Sequence, residues 1–147
     1  MKKALILAML PAGFTFWSCN QHITPTQMPS LVQNALQVKF PAAKDVEWEK
    51  EGNLYEAEFT MGTTEHAALV NPAGQVLAHK QDIVASELPA PVLAAVQRDF
   101  KAYLLDDLEK VEQNGKVLYQ VELENSNGDL KKVYDANGKL EETAFWD

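Results

Sequence analysis

His66 and His79 flank the tetrapeptide Asn71-Pro72-Ala73-Gly74 in a segment of alternating apolar residues, and they make the sharpest chemical constellation in the chain. If that tetrapeptide closes a hairpin whose paired residue numbers sum to 145, the two imidazoles stand directly opposite each other. They would then be near enough to share a metal ion or to titrate as a pair. Two ligands make an incomplete metal site, and a slip of one residue in register parts them. Other chemistry-bearing residues are sparse. Cys19 is the only cysteine and His22 the third histidine, and no G-x-S-x-G, P-loop, G-x-G-x-x-G or H-E-x-x-H occurs. Asp106-Asp107 and Glu141-Glu142 are sequence neighbours, so on strands they point to opposite faces and read as solvated charge. A hydrolase would instead need two facing carboxylates in a cleft. Trp48, Tyr103, Phe145 and Trp146 could line a ligand groove; the competing reading makes them core, with Phe145-Trp146 closing the last strand against a helix. No catalytic residue and no cofactor is expected.

The first residues read as a processing segment. Lys2 and Lys3 precede a mainly apolar run of roughly 14 residues, in the range of a secretion signal. That run falls short of the roughly 20 residues of a spanning helix and is interrupted by Pro11 and Gly13. Ser18-Cys19 resembles the small-residue-then-cysteine junction of bacterial lipoprotein signals, with Phe16 and Trp17 departing from it where leucine and a small residue are usual. The resemblance implies a signal peptide over 1–18 and lipid attachment at Cys19. The polar, proline-containing stretch 19–27 then serves as anchor and tether. Secretion without lipid is the alternative. Without residues 1–18 the chain keeps 129 residues, 11 basic against 21 acidic. Such a surface repels nucleic acid, which is set aside as a partner.

An internal repeat organises the remainder. At an offset of 60, Pro29, Val32, Ala35, Gln37, Phe40, Ala42, Glu49 and Lys50 meet identical residues at Pro89, Val92, Ala95, Gln97, Phe100, Ala102, Glu109 and Lys110. At an offset of 64, Leu54, Tyr55, Glu58 and Gly74 meet Leu118, Tyr119, Glu122 and Gly138. The repeats are expected to span 28–83 and 84–147.

Within each repeat the spacing predicts a helix and then strands. Val32, Ala35, Leu36 and Phe40 share one helical stripe, as do Val92, Ala95, Val96 and Phe100. Alternation places Tyr55, Ala57 and Phe59 on one face of a strand and Leu54, Glu56 and Glu58 on the other, with Tyr119, Val121 and Leu123 repeating the pattern. Asn71 to Gly74 and Asp135 to Gly138 fit a type I turn followed by a left-handed glycine. A unit of about 60 residues is marginal alone, so two are expected to combine their cores. The expected fold is α+β: a tandem duplication of one helix plus about four antiparallel strands, both helices packed on one face of a shared sheet.

Phe40-Pro41-Ala42, Trp48, the strand from Tyr55 to Phe59 and the Asn71–Gly74 hairpin together resemble the PepSY-like, β-lactamase-inhibitor-like domains of periplasmic proteins from Bacteroides and its relatives. The second repeat departs at Lys101 and Leu108, which replace the proline and the tryptophan. The resemblance implies a helix-on-sheet fold without known catalytic residues. By analogy with β-lactamase inhibitory protein, it implies a protein-binding face away from the helices, formed by Leu54, Glu56, Glu58, Leu118, Gln120 and Glu122. A solvated sheet face is the plain alternative. The expected function is a non-enzymatic, exported or lipid-anchored module of the periplasm or cell envelope, which binds and inhibits or regulates an exported or envelope protein. The second expectation is a periplasmic small-ligand or metal-binding protein using His66 and His79.

Overall fold

The computed structural model describes residues 21–147; the signal segment and Cys19 lie outside the described residues. Nine antiparallel strands follow one another in a single sheet whose spatial order is the chain order. They are β1 (Gln21–His22), β2 (Lys44–Glu51), β3 (Leu54–Met61), β4 (Thr64–Val70), β5 (Val76–Asp82), β6 (Leu104–Gln113), β7 (Lys116–Asn125), β8 (Gly128–Asp135) and β9 (Leu140–Glu141). Two helices, α1 (Ser30–Lys39) and α2 (Ala90–Asp99), interrupt the series after β1 and after β5.

The α+β expectation is corrected by these proportions. A nine-stranded sheet carries the fold and the two helices, ten residues each, are accessories to it. Both helices are kept short by their ends. Each begins after a proline, where Pro29 and Pro89 carbonyls accept from Val32 and Val92 N–H at 3.0 and 2.9 Å. Each ends at a phenylalanine whose own carbonyl accepts the next turn's N–H, from Ala43 to Phe40 and from Tyr103 to Phe100 at 3.0 Å. Pro41 follows the first helix and Lys101 the second, so the stop does not depend on proline. The sheet gains where the helices lose. β5 and β6 pair over Ala78↔Gln113 to Asp82↔Glu109, so two half-sheets become one and neither leaves an edge of unpaired N–H and C=O groups at the middle of the molecule.

Both helices lie on the same face. The register from Tyr55, Ala57 and Phe59 on β3 through Ala68 on β4 and His79 on β5 continues to Glu112, Leu108 and Val121 on β6 and β7. Val32 and Leu36 of α1, with Phe40 at its end, close over Trp48, Tyr55, Ala57, Phe59, Ala68 and Val70. Val92, Ala95 and Val96 of α2 close over Leu108, Val121, Leu123 and Tyr134. Each of the larger side chains contributes about 1.5–3 kcal/mol through burial.

The two hairpins after β4 and β8 are tied to the helices. Asn71 Oδ1 accepts from Ala73 and Gln75 N–H, and Asp135 Oδ1 from Asn137 and Lys139 N–H, at 2.9 to 3.1 Å. Gly74 and Gly138 close the turns at φ +77° and +78° and lie against the first turns of α1 and α2, at Leu31 and Pro91.

Tyr134 is 2 % exposed, and its Oη has no hydrogen-bond partner among the described residues. An unpaired buried hydroxyl costs about 1–3 kcal/mol, so Tyr134→Phe is expected to hold or raise stability by about 1 kcal/mol in urea denaturation. A loss of stability would mean that the hydroxyl is bonded after all.

Candidate functional site

The sheet face away from the helices mixes acidic side chains such as Glu56, Glu58, Asp82 and Glu109 with small and apolar ones such as Ala67, Val111 and Leu118. Register sets Glu58 beside Ala67, Ala67 beside Lys80, Lys80 beside Val111 and Val111 beside Leu118, across β3 to β7. Near one end of these strands an open cleft is lined by Glu47, Glu58, Glu65, Asp82, Asp107 and Glu109, with Ala67 and Lys80 among them. Methyl-sized Ala67 leaves room for it. The carboxylates repel: Asp82 is pushed above the usual carboxylate range by burial first, then by Asp107, Glu65 and Glu109.

The chain's closing segment then returns over this face. After β9, residues 142–147 run back across the sheet and set Phe145 and Trp146 against Val111, Leu118 and Val133. Gln120 holds the backbone of Trp146 at two points, accepting from its N–H at 2.7 Å and donating to its carbonyl at 2.9 Å. Its second amide proton goes to Glu109 at 2.5 Å. Lys80 pairs with Glu109 at 2.9 Å, donates to the Trp146 carbonyl at 3.1 Å, and stands 5.3 Å from the centre of the indole ring. The indole N–H donates to Glu56 at 2.8 Å. Lys131 bonds Asp147 and lies over the Phe145 ring. Gln120 on β7 and Glu56 on β3 are four strand spacings apart, about 19 Å in a flat sheet. One tryptophan and two side chains placed end to end cover that distance.

All six residues singled out from the alternation lie on this face, but in different states. Glu56, Leu118 and Gln120 are covered, at 6 %, 6 % and 2 % exposure. Glu122 is half-buried and 3.9 Å from Lys131, Leu54 is half-buried, and Glu58 stands open on the cleft. Glu56 is pushed above the usual carboxylate range, mainly by burial, with the indole hydrogen bond opposing. Lys80, Glu109 and Asp82 were missed by sequence reasoning, and Asp107, read there as solvated charge, lines the cleft with them. They meet through the β5·β6 pairing, and the only signal for it was that Ala78, Lys80 and Asp82 alternate in phase. The expected packing of Phe145-Trp146 against a helix is corrected too, because the segment lies on the opposite face. Trp48 is core beneath α1, and Tyr103 packs edge-on against Phe100.

His66 and His79 do meet, by a route other than the predicted register. A bulge between β4 and β5 shifts the pairing so that His66 stands opposite Gln81 and His79 opposite Ala68. The two are therefore diagonal neighbours, still within reach of long side chains. Their rings stack with centres 5.3 Å apart, and His66 Nδ1 and His79 Nε2 share a hydrogen bond of 3.0 Å. Both residues are 8 % exposed beside Phe40 and Phe59. His79 packs beneath Phe40 on the helix side, whereas His66, with Phe59, also borders one end of the acidic cleft. Burial and His66 push His79 down to about 4, and burial pushes His66 down as well. Each facing nitrogen is already used by the other ring, and among the described residues no group of three or more His, Cys, Asp or Glu is placed to hold a metal.

The fold is thus a meandering antiparallel sheet with two helices on one face and an acidic cleft on the other. The sequence matches the family described as "Putative beta-lactamase-inhibitor-like, PepSY-like" over residues 17–70 and 74–142, and the chain belongs to that family. No curated protein matches the sequence. Among solved structures, one described as a "putative periplasmic" protein from Bacteroides eggerthii is 19 % identical. It aligns over 77 % of this chain and 85 % of its own, with a TM-score of 0.73. A BLIP-like protein from Bacteroides fragilis is 20 % identical, aligns over 84 % and 94 %, and has a TM-score of 0.67. At these identities the likeness is one of fold. Among the described residues no helix is long and apolar enough to cross a membrane.

Proposed function

We propose that this protein is a non-enzymatic binding module of the bacterial cell envelope that inhibits or regulates an exported protein with a basic surface. Residues 1–18 are its signal peptide, Cys19 its lipid attachment site and 19–27 its anchor and tether. Two PepSY-like repeats, 28–83 and 84–147, form the binding body. The observation that carries the reading is the acidic cleft on the sheet's free face. Clustered like charges weaken a fold, and here they are concentrated around Glu58, Asp82 and Asp107 without enough cations to balance them. Complementary charge in a partner removes that repulsion and speeds encounter. Membership of an inhibitor-like family and the periplasmic description of a structural neighbour support the same reading.

The test is a cross-linked pull-down from the native envelope. The bait is compared with a variant carrying Glu58→Lys, Glu65→Lys and Asp107→Lys. A second variant carries Gln37→Lys and Gln97→Lys on the exposed sides of the helices. The expected result is an exported basic protein whose recovery falls by about tenfold or more with the first variant only. Equal recovery with all three baits would remove the cleft from the function.

A further inference from the structure

The seat of Trp146 is built as a recognition site, and its present occupant suits it only in part. Gln120, 2 % exposed, gives one amide proton to the Trp146 carbonyl and the other to Glu109, and accepts from the Trp146 N–H. Its bonds to the N–H and C=O of one residue are those a neighbouring strand would make, so they read an extended backbone of any sequence. Selectivity comes from the indole, whose N–H meets buried Glu56 and whose face meets the Lys80 ammonium. The mismatch is one of charge. Asp147 is met by Lys131, but residues 142–147 bring no basic residue to a face crowded with carboxylates at Glu58, Asp82 and Asp107, and add Glu142. An acidic tail holds the backbone and aromatic positions and leaves the cleft beside them unbalanced.

The geometry points to this seat as the docking site for an extended segment of the partner that carries an aromatic residue flanked by lysine or arginine, with residues 143–147 as a resident occupant that the partner displaces. The inference rests on the protein-binding reading above and adds the chemistry of the bound segment. A tethered occupant competes as if present at roughly millimolar concentration, so the tail screens out weak ligands and yields to one that also neutralises the cleft.

The test uses two synthetic peptides, one with the sequence of residues 142–147 and one in which Glu142 and Ala144 are replaced by lysine while Asp147 is kept for Lys131. Binding is followed by NMR on the intact chain, on a chain ending at Glu142, and on Trp146→Ala in the intact chain. Cooperative melting of each protein is recorded first; Trp146→Ala, which leaves the rest of the chain in place, carries the test if the shortened chain fails to melt cooperatively. The lysine peptide is expected to bind the tail-free protein about tenfold tighter than the acidic peptide at low salt, and to lose that advantage at high salt. The intact chain is expected to bind each about tenfold more weakly. Gln120→Ala in the tail-free chain should abolish binding. A folded tail-free protein that binds neither peptide overturns the inference, as does equal binding by a peptide with alanine for Phe145 and Trp146, or equal affinity in the intact chain. Those results leave the pull-down untouched: a partner lost with the charge-reversed cleft would still stand, bound without the Trp146 seat.

Discussion

Alanine at position 138 is expected to lower the stability of the domain by about 3 kcal/mol or more, the largest effect of a methyl added at any glycine among the described residues. Two costs combine. Gly138 sits at φ +78°, where a side chain costs about 1–2 kcal/mol. A Cβ there would also stand 2.3 Å from the carbonyl oxygen and 2.7 Å from the carbonyl carbon of Pro91. Those are backbone atoms in the first turn of α2, so relief requires the helix to lift from the hairpin. The equivalent change at Gly74 meets Leu31 O at 2.8 Å and should cost less. Asparagine separates the two costs, because it tolerates the left-handed backbone but keeps the Cβ. If Gly138→Asn proves nearly as stable as the parent in urea titrations, the approach to Pro91 is not what demands glycine there.

The second large effect is on acidification. His79 has its pKa lowered from 6.5 to about 4 by burial and by His66, so between those values the unfolded chain binds more protons than the folded one. Stability therefore falls as the pH drops through this window and levels off below it. At about 1.4 kcal/mol per pH unit for one group, the loss is on the order of 3 kcal/mol by pH 4. His66 acts in the same direction. The other charges facing His79 are Glu112, which favours its protonation, and Lys39 and Lys110, which oppose it. Glu56 and Asp82 work the other way, since carboxylates with raised values hold protons more tightly when folded. A comparison isolates the histidines. In His66→Leu with His79→Leu, both partners of the hydrogen bond are replaced together and no unpaired nitrogen stays buried. The double variant is expected to lose most of the slope of stability against pH between 6.5 and 4. If its slope equals the parent's, the histidine pair is not the source of the acid sensitivity.

How far the sequence reaches is shown by the same residues. The stripe of Val32, Leu36 and Phe40 and the alternation of Tyr55, Ala57 and Phe59 are legible because burial of one face imposes repeats of 3.6 and 2 within a few positions. The hairpin at Asp135 to Gly138 was legible as a turn. Its contact with Pro91 was not, because nothing in four residues says what packs above them. His66 and His79 show the limit more sharply. Their proximity was foreseen through the wrong register, since the bulge after Leu69 depends on how β4 and β5 settle against the core and not on the turn sequence.

By itself the sequence determined the family, the strongly acidic balance, the two short helical stripes and the alternation that put Glu56, Glu58, Gln120 and Glu122 on one face. Only the tertiary structure decided that a single sheet of nine strands dominates the fold, that His66 and His79 share a hydrogen bond, and that Trp146 lies across the free face. The physical reason is distance along the chain. Periodicity records which side of an element is buried, whereas Lys80 and Trp146, 66 residues apart, and Glu56 and Trp146, 90 apart, meet only because pairing β5 with β6 satisfies the backbone of both halves at once.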